Sequence, residues 1–187
     1  SVGTGFGMQT IVNNFLSGLI LIFSRTLHEG DVIDVGNLQG VVRKISVRAT
    51  TVETFDNAII FVPNSEFVSN RLINWTRNGR IVRREVAIGV AYGTDPKLVE
   101  RLLVEVAQSV PQIVRRPQPF VLFMDFADST LNFVLRYWSD IGTATDAASA
   151  IRHRIVEVFA EHQVEIAFPQ LDVHVIPQTP SLTRAEG

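Results

Sequence analysis

The run SVGTGFGMQTIVNNFLSGLILIFSR, residues 1–25, governs how the rest of the chain is read. No charged side chain occurs in it before Arg25. A single helix over residues 1–24 would be about 36 Å long, against a bilayer hydrocarbon core of about 30 Å. Gly3, Gly5 and Gly7 crowd the first third. Each costs about 1 kcal/mol relative to alanine inside a helix, yet each lets a neighbouring backbone come close. Gln9-Thr10 and Asn13-Asn14 then interrupt the apolar run. From Ile11 onward two stripes separate. Ile11, Val12, Phe15, Leu16, Leu19, Ile22 and Phe23 recur at three- and four-residue steps, and Asn13, Asn14, Ser17 and Gly18 fill the opposite face. The pattern predicts a closely packed membrane helix that bends at Gln9-Thr10 and continues as an amphipathic helix on a membrane surface. The plainer alternative, a buried core helix with capped polar groups, is disfavoured by three glycines at alternate positions.

The whole chain has 187 residues, 46% hydrophobic and 19% charged, with a formal net charge of −2. Its mean hydropathy of +0.20 is high for so few charges, and the excess sits in the opening run. Near-neutrality argues against a general nucleic-acid binder. The absence of cysteine excludes disulfides and thiolate metal sites. No basic stretch precedes the apolar run, so it does not read as a signal peptide. The expectation is a piece of a longer membrane protein whose upstream spans are not shown.

After Arg25 the pattern becomes strand-like. Val32 to Val35 lies between Gly30-Asp31 and the turn Gly36-Asn37. Val41 to Phe55 reads as one long strand, with Ile45, Val47, Ala49 and Thr51 on one face. Asp56-Asn57 predicts a hairpin into Ala58 to Val62, Pro63-Asn64 a strand stop, and Phe67 to Thr76 one more strand. Four or five short strands in so little chain predict a small, strongly bent barrel. Next, Ile81 to Ala91 reads as a strand, and Thr94-Asp95-Pro96 as a helix start with proline at the first position. Phe120 to Phe126 pairs with Leu131 to Trp138, Thr145-Asp146 opens a second helix, and Val164 to Phe168 closes the unit. The order strand-helix-strand-strand-helix-strand is the split βαβ, or ferredoxin-like, pattern. Leu171, Val173 and Val175 then alternate with Asp172 and His174 in a last strand, followed by a disordered tail over residues 177–187. Such a lone strand must find partners for its backbone, either on its own domain's edge or with copies arranged in a ring.

No catalytic constellation stands out. His28, His153, His162 and His174 lack metal-site spacing and acidic companions. GTGFG has no preceding strand to make it a dinucleotide fingerprint. Arg71, Arg77, Arg80, Arg83 and Arg84, with Trp75, form a basic group that reads either as an RNA-contacting patch or as salt-bridging positions at a domain junction. With one aromatic and acidic residues elsewhere in balance, the second reading is favoured.

The runs GFGMQTIVNNFLSGLILIF with Arg25, GDVIDV at 30–35, GVVRKISVRATTVETFD at 40–56, VPNSEFVSNRLINWT at 62–76, IGVAYGTD at 88–95 and IAFPQLDVHV at 166–175 resemble the bacterial small-conductance mechanosensitive channel (MscS-like) family in order and spacing. The likeness covers residues 1 to about 176. It implies a membrane-protein fragment of α+β class. Residues 1–27 would be the pore-lining and interfacial transmembrane helix, 28–78 an Sm-like β-domain, 79–168 a ferredoxin-like α/β domain, and 169–176 a strand of an oligomeric barrel. It implies a homoheptamer in the bacterial inner membrane, with everything after the helix in the cytoplasm. Such a channel opens under membrane tension and releases ions and small osmolytes on hypo-osmotic shock. No catalytic residue, metal, cofactor or nucleic acid is implied. The pore constriction would fall on Val2 and Phe6, with Gly3, Gly5, Gly7, Gln9 and Thr10 serving helix packing and the bend. Asn14, Gly18, Arg25 and Asn74 would couple the helix to the β-domain, with Asn14 and Asn74 bonded to each other in at least one functional state. The chain departs from the family at Thr10 (a glycine in some members), at Thr26 (commonly proline) and at Phe6, which is bulkier than the usual leucine. A non-conducting membrane-anchored scaffold and an Sm-like RNA-binding module are the competing readings.

Overall fold

A computed structural model describes residues 2–170, with side chains from Met8 onward. The chain begins as one uninterrupted helix, α1 (Val2–Ser24). The bend expected at Gln9-Thr10 is marked by no break in that helix. Among the described residues no helix is long and apolar enough to cross a membrane. The opening run, expected as a pore-lining and interfacial helix, is helical throughout its described part. Gln9, Thr10, Asn13, Asn14 and Ser17 dilute its apolar content.

Five strands follow: β1 (Val32–Val35), β2 (Leu38–Ile45), β3 (Ala49–Thr54), β4 (Ile59–Pro63) and β5 (Leu72–Asn74). They form one antiparallel sheet in the order β4-β3-β2-β1-β5. Ile33, Val35, Val42, Val52, Val62 and Phe67 make its core, joined by Leu21 from α1. Two expectations fail here. Residues 41–55 are not one strand, because a turn at 46–48 closed by Ser46 N–H donating to Ala49 C=O at 3.1 Å divides β2 from β3. The turn changes the phase of burial, so Thr50 is fully buried while Val47 is exposed. Nor is 67–76 a strand throughout. A six-residue helix, α2 (Asn64–Ser69), comes first and drives Phe67 into the core before the short β5. The hairpin at Asp56-Asn57 forms as read, with Asn57 in the left-handed region at φ 65°.

The second unit runs β6 (Ile81–Val90), α3 (Pro96–Ser109), β7 (Phe120–Phe126), β8 (Leu131–Asp140) and α4 (Ala144–Glu161). Its sheet has the antiparallel order β6-β8-β7. Asp95 caps α3 by accepting from Lys97 N–H at 3.0 Å, with proline in the first turn, as the sequence predicts. Val99, Leu102, Leu103 and Val106 of α3 and Ile151, Ile155, Val158 and Phe159 of α4 bury against Phe133, Leu135 and Tyr137 of β8. In place of the expected closing strand at 164–168 there is an isolated bridge, Ile166 opposite Val90. The expected barrel strand from Leu171 and the tail at 177–187 lie outside the described residues.

Residues 75–80 join the two sheets. Arg80 makes two hydrogen bonds to the Asp140 carboxylate, at 2.9 and 3.0 Å, and its carbonyl accepts from Ile141 N–H at 2.9 Å. Arg84 lies over the Trp75 ring, 5.8 Å from its centroid. Arg80 and Arg84 of the arginine group thus engage separate partners around the linker.

Candidate functional site at the seat of the first helix

α1 is amphipathic in an unusual sense. Its half-buried or buried positions are Asn14, Ser17, Gly18, Leu19 and Leu21, of which three are polar or lack a side chain. Its exposed positions include Ile11, Val12, Phe15, Leu16, Ile20, Ile22 and Phe23, the last 80% exposed. A helix in water buries its apolar stripe and exposes its polar one. Here most of the apolar positions face outward and Asn14, Ser17 and Gly18 face inward, with Leu19 and Leu21 the apolar exceptions.

The polar face is built for close contact. A Cβ on Gly18 would lie 2.2 Å from the Val47 carbonyl oxygen and 2.6 Å from Asn64 Nδ2, so only glycine lets α1 touch the 46–48 turn. Asn64, fully buried, fastens that turn to the start of α2. Its Nδ2 donates to Ser46 C=O at 2.8 Å, its Oδ1 accepts from Thr50 Oγ1 at 2.9 Å, and its backbone N–H donates to Arg48 C=O at 3.0 Å. One residue on, Ser65 N–H donates to Asn14 Oδ1 at 3.0 Å. The N-cap position of α2 is Pro63, which offers no side-chain acceptor. Asn14 supplies the missing cap from another helix, satisfying an amide that α2 leaves without an internal partner. Its Nδ2 donates back to Thr10 C=O at 3.0 Å, which fixes the amide's orientation.

In this structure Asn14 and Asn74, expected to pair in at least one functional state, each bond to other partners. Asn74 Nδ2 donates to Asp31 Oδ2 at 2.7 Å and its Oδ1 accepts from Thr76 N–H at 3.1 Å. That network closes β5 onto the entry to β1, where Asn74 stands opposite Ile33. The residue that meets α1 is Asn64, which sequence reasoning used only as a strand stop. The available signal was an asparagine directly after a proline, where a helix start and a strand stop look alike. Arg25 is exposed and sits at φ 51°, ending α1 in the left-handed conformation common just past a helix C-terminus. Gln9 and Thr10 are exposed within the continuous helix. The backbone at Val2, Gly3, Gly5, Phe6 and Gly7 belongs to α1, and their side chains lie outside the described residues. Beside α1 runs a groove of about 600 Å³ walled by Thr10, Ile11 and Asn14 on one side and Arg48, Phe61 and Pro63 on the other. Among the described residues no group of three His, Asp or Glu side chains could hold a metal ion.

The family model described as "Mechanosensitive ion channel, beta-domain" matches residues 10–77, which contain this junction. A second, "Mechanosensitive ion channel MscS, C-terminal", matches residues 85–166. The chain belongs to the MscS-like family of mechanosensitive channels. An MscS family protein of Haemophilus influenzae is 44% identical over 176 residues, covering 94% of this chain and 16% of the relative. Mechanosensitive channel MscK of Escherichia coli is 39% identical, with the same coverage of 94% and 16%. The small-conductance mechanosensitive channel of Edwardsiella ictaluri is 30% identical over 93% of this chain and 60% of its own length. The chain thus spans a minor part of its longer MscS-like relatives. Among solved structures, MscS of Helicobacter pylori in its closed state superimposes with a TM-score of 0.85 at 26% identity, covering 95% of this chain and 70% of that one.

Proposed function

We propose that this chain is the pore-proximal and cytoplasmic part of an ion channel that membrane tension opens, releasing ions and small osmolytes on hypo-osmotic shock. The observation that carries the reading is the largely reversed polarity of α1. Its apolar side is left outward while Asn14 and Gly18 hold its polar side to the first sheet. That arrangement suits a helix lying in a membrane interface, with the sheet beneath it on the cytoplasmic side of a bacterial inner membrane. Tension can open a pore only if the open state occupies more membrane area, so that stretch favours it differentially. A helix anchored in the interface by Phe15, Ile20 and Phe23, and tied to the sheet by Asn14, would couple an area change to the helix segment before Thr10.

In this reading residues 1–9 line the pore, seven copies surround it, and Val2 and Phe6 form apolar rings that close by excluding water. Residues 28–78 act as an Sm-like domain, 79–168 as a ferredoxin-like domain, and 169–176 as one strand of a shared barrel. The test is suction applied to patches from cells making the full-length protein. Wild type should give pressure-dependent current. Phe6→Ser, which trades apolar bulk for a hydroxyl, should open at lower pressure, with Val2→Ser acting in the same direction but less. A Phe6→Ser threshold equal to or above wild type would place the constriction on another turn.

A further inference from the structure

Just beyond α1, His28 stands where three parts of the chain meet. Its Nδ1 is 3.1 Å from Arg77 Nη1 and 3.8 Å from Asp31 Oδ2. Its backbone N–H donates to that same Asp31 oxygen at 2.9 Å. Asp31 is held in turn by Asn74 Nδ2 at 2.7 Å and by Thr76 Oγ1 at 3.3 Å. Arg77 belongs to the linker between the two sheets. The other charged groups near His28 are Arg25 and Glu29, which share a surface depression with it. Glu29 is engaged there, accepting from Ile45 N–H at 3.3 Å.

The Arg77 contact fixes the protonation state in which it can exist. A guanidinium only donates, so Nδ1 must accept, and the one proton of the neutral ring sits on Nε2. A second proton turns Nδ1 into a donor. The bond to Arg77 is then lost, two cations face each other, and the nearest acceptor is the Asp31 carboxylate. Histidine is the side chain whose charge ordinarily changes between about pH 5 and pH 8. His28 lies open to solvent, with 48% of its side chain exposed.

We propose that His28, set between Arg77 and Asp31, is a pH-sensitive latch. Neutral, it ties the chain just past α1 to Arg77 of the inter-sheet linker; protonated, it turns to Asp31 and releases Arg77, loosening the linker beyond Thr76. The latch would regulate the junction of the proposed channel and rests on that reading for its physiological effect, though the exchange of partners does not.

The test is hydrogen exchange of the backbone amides at 76–80 in the purified full-length protein, at about pH 7.5 and about pH 5.5, corrected for the intrinsic pH effect. Wild type should lose protection by about threefold or more on acidification. His28→Gln, which can still accept from Arg77 but cannot titrate, should keep it. His28→Lys, a permanent cation, should be unprotected at both values. An acid response in His28→Gln equal to that of wild type overturns the latch. Suction applied to patches of the same full-length protein distinguishes the two readings. Absence of any suction-evoked current at either pH would count against the channel and leave the exchange result, and hence the latch, standing.

Discussion

At the scale of single residues, the junction turns on one amide and one missing side chain. Asn14→Ala leaves Ser65 N–H without its cap, a loss of about 1 kcal/mol by analogy with N-cap deletions. Asn64→Ala strands the Thr50 hydroxyl and the Ser46 carbonyl in a buried setting, at about 1–3 kcal/mol. Because the two amides fasten the same end of α2, the double variant should be less destabilised than the sum, by about 0.5 kcal/mol or more. Asn74→Ala shares no partner with Asn14 and should combine with it additively. Denaturant midpoints of the three single and two double variants decide this, and additivity for Asn14 with Asn64 would mean that α1 and α2 are not mechanically joined. Gly18→Ala should cost about 1–3 kcal/mol, since a methyl group meets backbone and not a flexible side chain. A neutral Gly18→Ala would show that α1 does not rest on the turn. The sequence was sufficient to put Asn14 and Gly18 on one polar face. It could not find their partners, because beyond the local bond to Thr10 those of Asn14 and Asn64 come from residues 46–50 and 65, and such distant contacts leave no periodic trace.

At the scale of elements, legibility followed length and period. α3, α4, β6 and β8 were readable because each carries a long apolar repeat of the right period, with Asp95-Pro96 marking one start, and β7 because Phe120–Phe126 is a short, nearly continuous apolar run. The turn at 46–48 was not, since Ser46-Val47-Arg48 contains neither glycine nor proline and looks like more of the strand. α2 was missed for a different reason: six residues are too few to display a helical repeat. Of the apolar stripe read along residues 11–23, α1 exposes all but Leu19, which is half-buried, while Asn13 of the polar face is exposed, so the amphipathic pattern was legible in the main even though its inner partner was not. A prediction follows at this scale from the most exposed side chain on the stripe. Phe23→Asp touches nothing in the protein core, so the thermal midpoint in detergent should be unchanged. In the proposed channel it would remove an apolar anchor from the interface, so the pressure for half-maximal current should rise. An unchanged pressure would mean that the second half of α1 does not lie in the membrane surface.

At the scale of the molecule, two separate cores are joined by residues 75–80, and the firmest polar tie between linker and second core is Arg80 to Asp140. The Arg80 guanidinium hydrogen-bonded to it holds the Asp140 carboxyl below its ordinary range, with Gly142 N–H adding to the effect. The same pair raises Arg80, which stays charged throughout. A carboxyl whose pKa is lower in the folded than in the unfolded chain contributes stability that is full above the unfolded value, about 4. That contribution is lost as pH falls through the folded value. Both side chains are well exposed, so water and salt screen the pair and its worth lies in the surface range of about 0–1 kcal/mol. Asp140→Asn keeps a partial acceptor but cannot titrate. Thermal midpoints of the full-length protein in detergent, from about pH 7 to about pH 3, should therefore fall less steeply for Asp140→Asn than for wild type. The two curves should converge at the acid end, where the wild-type carboxyl has also lost its charge. Parallel curves across the range would show that the linker is held to the second core by the 141–80 backbone bond and by packing at Trp75 and Arg84, with the ion pair contributing nothing measurable.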